Sequence, residues 1–351
     1  MGSNQPQKVM AKRNIVVIGA SLGGLEAFKK LVSGLPADIG ASIFLVWHIS
    51  PNAEGVLPGV LGELTDLTVV HADHGDLIRP NRIYVARPDH HLLVDDRHVH
   101  VTRGPKENRF RPAIDPLFRS AAYAFGSRVI GIVLSGALDD GTAGLWSIKR
   151  CGGIAIAQDP DDAEMPSMPK NAIREVAIDY IVPVSEMAAL LVKLCNETVE
   201  IGTRLDKEEL GQLEAEVRVA ADQNRLDIDI PQYGEMSKLS CPECQGVLTL
   251  LKDGSLSRYR CHTGHAFSPE TLLEAIAEKI ESNLFAALRG VDEHVILLNH
   301  MGDHFAEANY RADAARYFRK AREAEQRVAL IRNAIRASAD IEVIRTSEER
   351  L

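Results

Sequence analysis

The 351-residue sequence predicts an α/β domain, a doubly wound and mostly parallel sheet, followed by a small Cys/His module and an α-helical hairpin. Three observations carry this. Apolar runs at Ile15–Ile18, Ser42–Trp47 and Val129–Leu134 lack the polar alternation of half-exposed strands, and helical stretches follow them. Cys241-Pro-Glu-Cys244 and Cys261 to His265 form two close knuckles with metal-ligand spacing. Beyond Ser268, apolar residues recur at steps of three or four from Leu273 to Met301, and a second series runs from Ala315 to Ile335.

Met1 to Arg13 is polar and reads as a loose tail. Strand Ile15–Ile18 runs into Gly19-Ala20-Ser21-Leu22-Gly23-Gly24, and a helix over Leu25–Leu31 follows. Ser21 thus stands at the carboxyl end of a strand and the amino end of a helix, where free N–H groups favour negative charge. Such a serine binds an anion, or it is a nucleophile whose oxyanion those groups stabilise. The second apolar run ends at His48. Shorter strands follow at Thr68–Val70, Arg82–Ala86, His91–Val94 and His98–Thr102, with Asp95-Asp96 as a hairpin turn. Val129–Leu134 leads into Ser135-Gly136-Ala137-Leu138-Asp139-Asp140-Gly141. A helix at Ala143–Arg150, a strand at Gly153–Ala157, a helix from Pro169, a strand at Tyr180–Val182 and a helix at Ser185–Asn196 complete a domain over residues 14–196. Residues 197–237 are charged and read as a partly helical linker, with a helix over Leu205–Ala221. The Cys/His module spans 238–268, an antiparallel hairpin turning near Ala308–Arg311 spans 269–340, and 341–351 reads as a tail.

Composition narrows the function classes. The apolar share of 45% and charged share of 25% are those of globular proteins, and a net charge of −9 argues against nucleic acid. No apolar run reaches the roughly 18–20 residues a bilayer span needs, and the start has no signal-like h-region. Three of the five cysteines fall within 241–261, which suits a metal site in a reducing cytoplasm and not a disulfide framework.

Ligands bind at the carboxyl ends of strands in open α/β sheets. Ser21, His48 and an aspartate of Asp139-Asp140 fall at three such ends, and serine, imidazole and carboxylate are the parts of a hydrolytic triad. The serine needs the imidazole to take its proton, and the carboxylate fixes the imidazole tautomer. Taken singly, each residue also fits a structural role: a turn serine, a rim histidine, an Asp-Asp-Gly turn. A dinucleotide fingerprint is disfavoured because Ser21 occupies its second glycine position and His48, not an acid, ends strand two. The order Ser, His, Asp with serine on the first strand also disfavours the α/β-hydrolase fold, despite the Gly-x-Ser-x-Gly match.

The blocks IGASLGG (18–24), WHIS (47–50), DHGDLIRPNRIYVARPDHHL (73–92), FRPAIDPLFRSAA (110–122), LSGALDDGTAGL (134–145), AIAQDP (155–160) and MPKNAI (168–173) resemble, in this order, the catalytic domain of the chemotaxis protein-glutamate methylesterases. The resemblance covers about residues 14–194. It implies hydrolysis of glutamyl γ-methyl esters on a chemoreceptor-like protein, releasing methanol, with glutamine deamidation in some members. It implies Ser21 as nucleophile, His48 as base and Asp140, not Asp139, as the acid, with no cofactor needed for catalysis. It places Leu22, Ala137, Arg111, Asp115 and Met168 in oxyanion or substrate-positioning roles. Leu22 replaces the usual threonine, Ala137 the usual methionine, and Trp47-His48-Ile49-Ser50 the usual Gln-His-Met-Pro. Many members begin with a phosphorylatable receiver domain, and a first strand at residue 15 implies a receiver-free form. The alternative is a non-catalytic regulatory module that retains the esterase fold.

Cys241, Cys244, Cys261 and His265 suit a structural zinc with four protein ligands, and His262 is an alternative fourth ligand. Gly264-His265 resembles the ending of zinc-ribbon-like tails on receiver-free relatives, which favours His265. A thioredoxin-type pair would sit early in a βαβ pattern, and this one does not. His71, His74, His90, His91, His98 and His100 read as surface residues and not a second metal site. The hairpin packs on itself or docks a regulator or a second copy of the chain.

Overall fold

The structure, a computed structural model, describes residues 9–201, 205–223 and 228–348, with side chains through 337. The central sheet holds β2 (Ile15–Ala20), β3 (Ser42–Trp47), β4 (Thr68–His71), β5 (Arg82–Val85), β8 (Val129–Val133), β9 (Ile154–Gln158) and β10 (Tyr180–Val182). All seven are parallel, in the order β10-β9-β8-β2-β3-β5-β4. Every residue of β2 is buried. Val16, Ile18 and Ala20 face one apolar layer while Ile15 and Val17 face the other, so the strand shows no polar alternation.

The first layer holds α1 (Gly24–Ser33), α2 (Leu57–Gly62) and α6 (Val184–Cys195). The second holds α3 (Ile114–Phe125), α4 (Thr142–Arg150), α5 (Ser167–Glu175) and the hairpin of β6 (His91–Val94) with β7 (Val99–Thr102). The sequence patterning misses α3. Ten of its twelve residues are buried, so no polar stripe marks its period.

Three expectations are corrected. Met10–Lys12 (β1) is not a loose start; it pairs antiparallel with Thr198–Glu200 (β11), while residues 1–8 lie outside those described. The helix expected over Leu205–Ala221 is present as α7 (Lys207–Ala220), opened by a capping box of Asp206 and Glu209, but it packs on α3 where a linker was expected. The final helix runs through Glu348, where a tail was expected from 341.

The Cys/His module is a four-stranded antiparallel sheet: β12 (Glu235–Ser240), β13 (Val247–Asp253), β14 (Leu256–Cys261) and β15 (Ala266–Phe267). Residues through Leu272 form one compact unit, so this sheet packs onto the α/β layers. A buried ion network explains why. Arg258 and Arg260 of β14 both reach Glu216 of α7, Arg260 also reaches Glu107, and Arg119 of α3 pairs with Glu107. Arg258 also pairs with Asp253. Three buried guanidinium groups thus meet the carboxylates Glu107, Glu216 and Asp253, and removing any partner would strand a buried charge. Leu273 onward forms a second unit, in which α8 (Pro269–Glu307) and α9 (Arg311–Glu348) share a small core of Leu298, Ala321 and Ala324. No helix among the described residues is long and apolar enough to cross a membrane.

Candidate active site

From β2 the chain runs to β3 on one side, and later to β8 on the other, so a crevice opens at the carboxyl ends of these three strands. Ser21 follows β2, His48 follows β3, and Asp140 closes the turn after β8. Gly23 caps α1 at φ 75°, and a Cβ there would lie 2.6 Å from Ser135 Oγ and 2.7 Å from Glu164 Cβ. The turn is pinned on three sides. The Trp47 indole donates to the Ser21 carbonyl at 2.8 Å, the Ser21 amide to the Ser135 carbonyl at 2.9 Å, and the His48 amide to the Ala20 carbonyl at 3.1 Å.

His48 Nε2 lies 2.7 Å from Asp140 Oδ2, with both side chains almost fully buried. Asp140 also accepts from the amides of Ile114 at 2.7 Å, Gly141 at 3.0 Å and Asp115 at 3.3 Å, and from the Asn108 side chain at 2.9 Å. Burial alone would raise the Asp140 carboxyl. The His48 bond and charge, then the Ile114 and Asn108 donors, outweigh it and hold the group below the ordinary carboxylate range. An ionised Asp140 only accepts, so Nε2 carries the ring proton and Nδ1 keeps its lone pair. Nδ1 is buried and has no hydrogen-bond partner. That nitrogen is free to take a proton from a hydroxyl, and Ser21 and His48 line one cleft of about 610 Å³.

The other sequence-predicted residues divide. Leu22 is 56% exposed and lines the cleft. Arg111 also lines it, held by Asp89 at 2.7 Å and by the Gly104 carbonyl at 2.8 Å. Ala137, in the turn after β8, does not line the cleft. Asp115 and Met168 are buried and do not line the cleft. Met168 packs under the Gly136 turn, its amide donating to the Gly136 carbonyl at 2.8 Å. Asp115 sits behind Asp140 and accepts from the amides of Gly144 at 2.7 Å and Gly141 at 3.1 Å. Burial and the Asp140 charge push its carboxyl above the ordinary carboxylate range. Asp139 does not bond His48; Ser268 donates to it at 2.8 Å, and burial pushes its carboxyl up to about 7.

Two residues at the site are not among the candidates drawn from the sequence, although Phe110 opens the FRPAIDPLFRSAA block. The Phe110 ring stacks on the His48 imidazole, with centroids 3.8 Å apart and planes at 10°. The Asn108 side-chain amide donates to both Asp140 at 2.9 Å and Asp115 at 3.0 Å. They precede the RPAID block, and nothing in composition separates an Asn in a polar stretch from a loop residue.

A family profile described as CheB methylesterase matches residues 16–191, about half of the chain. The chain belongs to the CheB methylesterase family. Membership makes it an ester hydrolase by family. A Methanosarcina mazei relative named protein-glutamate methylesterase/protein-glutamine glutaminase 2 is 34% identical over 199 residues, 54% of this chain and 54% of that one. A Leptospira interrogans protein, provisionally named for the same two activities, is 36% identical over 186 residues, covering 53% of this chain and 96% of that one. This chain thus spans about half of the first relative and nearly all of the second. The crystal structure of the Thermotoga maritima CheB methylesterase catalytic domain aligns with a TM-score of 0.50 at 32% identity, over 52% of this chain and 98% of that one.

The CheB match ends before the Cys/His unit. There Cys241, Cys244, Cys261 and His265 bring their ligand atoms within 4.8 Å of one another, a group able to hold a metal ion. His265 belongs to the group and His262 does not. Among the described residues no other such group occurs. His91 is fully buried, bonded to Pro105 and Ala113, and burial lowers its pKa. Cys151 and Cys195 are buried elsewhere, and burial pushes the Cys195 thiol up to about 11.

Proposed function

We propose that this chain hydrolyses glutamyl γ-methyl esters, and deamidates glutamine, on a chemoreceptor-like protein through Ser21, His48 and Asp140. The observation that carries the reading is the buried 2.7 Å bond from His48 to Asp140 beside a cleft that Ser21 also lines. The name of the Methanosarcina mazei relative supports the substrate class.

Ser21 Oγ attacks the ester carbonyl carbon while His48 Nδ1 takes its proton. Asp140 holds the Nε2 proton and balances the imidazolium. The Leu22 and Ala137 amides receive the developing oxyanion. Collapse breaks the acyl–oxygen bond, and the imidazolium proton leaves with methoxide as methanol. Water then attacks the acyl group with His48 again as base, freeing the γ-carboxylate and restoring Ser21. A glutamine side chain passes through the same steps and releases ammonia.

The Cys/His group is proposed to hold one structural zinc. The ligand atoms lie 3.7 Å apart in Cys241–His265, 3.6 Å in Cys261–His265 and 3.6 Å in Cys244–Cys261. A tetrahedral zinc with sulfur and nitrogen arms needs about 3.8 and 3.6 Å. Four protein ligands leave no open position, so the metal would serve folding. The hairpin is proposed to dock a regulator or a second copy, a reading supported by exposed Ile280, Phe285, Ile296 and Leu297.

Methanol release from a methylated receptor fragment tests the central reading. Ser21→Ala should lose on the order of 10⁴-fold in turnover, Asp140→Asn a comparable factor, and Asp139→Asn little. Near-normal turnover by Ser21→Ala would overturn the nucleophile assignment.

A further inference from the structure

Glu107 to Phe110 form a tight turn closed by the Phe110 amide to the Glu107 carbonyl at 2.9 Å. Asn108 and Arg109 both have positive φ, 48° and 74°, the pattern of a type I′ turn. The turn is held from the Cys/His side. The Asn108 amide donates to the Ala266 carbonyl at 2.8 Å and the Ala266 amide to the Lys106 carbonyl at 3.3 Å, which adds the turn to the edge of β15. The side chain of Asn108, 5% exposed, uses its full bonding capacity. Its Nδ2 donates to Asp140 and Asp115, at 2.9 and 3.0 Å. Its Oδ1 accepts from the Ser268 amide at 3.0 Å and the Thr271 hydroxyl at 3.1 Å. One amide group therefore bridges the carboxylate that orients His48 and the segment that follows His265.

We propose that Asn108 is a positioning residue of the esterase reaction, and that the Cys/His unit, by holding its amide oxygen, is a working part of the active site. The proposal rests on the esterase reading of Ser21, His48 and Asp140. Asn108 touches no reacting atom. It separates two buried carboxyl groups that would otherwise face each other, and it fixes Asp140 so that the imidazole keeps its angle to Ser21. The same turn stacks Phe110 on the face of that imidazole. Loosening the turn should therefore slow chemistry more than substrate binding, because Arg109, Phe110 and Arg111 supply one wall of the cleft while the stretches after β2 and β3, from Ser21 to Glu26 and from Trp47 to Pro51, supply most of the rest.

The test uses the full chain on a small methyl or acetyl ester, with zinc content and thermal unfolding measured for each variant. Asn108→Ala should lower kcat about 10- to 100-fold, the scale of a lost bond to a buried charge, with KM within about three-fold. Thr271→Val keeps the shape of a residue with no exposed surface and removes one of the two donors to Oδ1. It should lower kcat about 3- to 10-fold with KM unchanged. The double variant should be no slower than Asn108→Ala, since both act through one amide. A folded Asn108→Ala within two-fold of wild type in kcat overturns the proposal, as do losses that multiply in the double variant or a change confined to KM. If Asn108→Ala does not fold, Thr271→Val decides alone: normal kcat overturns the proposal and a kcat-only loss supports it. A wild-type chain without ester turnover overturns the esterase reading and this proposal with it. An active wild type with insensitive variants overturns this proposal alone.

Discussion

The Cys/His unit and the helical hairpin follow one another in sequence, yet they are built on different principles. The first buries charge: Arg258 and Arg260, 7% and 0% exposed, are matched by Glu107 and Glu216 from outside their own sheet. The second buries little beyond Leu298, Ala321 and Ala324, with Val291, Val295 and Tyr317 packed against them, and it forms its own compact unit from Leu273. Distance along the chain does not decide membership of a domain. A buried guanidinium that needs a carboxylate from another element decides it, because neither charge is tolerable alone.

The largest expected effect comes from cutting the chain on either side of this difference. A chain ending at Asn196 loses Glu216, Arg258 and Arg260 and should yield no soluble active domain. A chain ending at Lys279 keeps them and should turn over a small ester within about two-fold of the full chain. Normal turnover by the shorter chain would break the comparison. Cys241→Ser comes next. It should lose the bound metal, lower the thermal midpoint of the α/β unit and cut turnover by at least about 10-fold, since metal binding supplies folding energy. Far-ultraviolet signal from the hairpin helices should persist, and its loss would join the two regions that the structure separates.

How much of this is legible in the sequence depends on the physics of each residue. The parallel strands announce themselves as unbroken apolar runs, and Ser21, His48 and Asp140 stand at their ends in recognisable turns. The two cysteine knuckles are legible because metal ligation demands fixed spacing. Arg119, Arg258 and Arg260 are not legible. A charged residue is normally solvated, and only its tertiary partners show that it is buried. Asn108 is hidden for the same reason: its four bonds go to residues 7, 32, 160 and 163 positions away.

The smallest expected effect lies at the seam between the α/β layers and the Cys/His unit. Burial raises the Asp139 carboxyl to about 7 while Ser268 bonds to it. The folded state therefore binds this proton more tightly than the unfolded chain. Its contribution to stability is complete below about pH 4 and is lost as pH rises through about 7. Asp139→Asn keeps the acceptor for Ser268 and removes the titration. Its thermal midpoint should gain on the wild type between pH 5 and pH 8, and a constant gap would show that the seam does not titrate.

The chain has two tryptophans, both carried by the α/β layers, one at the cleft and one at that seam. Trp47 donates its indole proton to the carbonyl of Ser21 and lines the cleft. Trp146 lies against Gly254, in the turn between β13 and β14, with the Arg150 guanidinium 4.7 Å above its ring. Neither is in the hairpin, so tryptophan emission excited at the red edge, where tyrosine does not absorb, is silent about that unit. A Trp146→Phe chain emits only from the cleft, and a Trp47→Phe chain only from the contact with the Cys/His sheet. Ester occupancy and metal loading can therefore be followed as two separate optical signals in one protein, without an added dye.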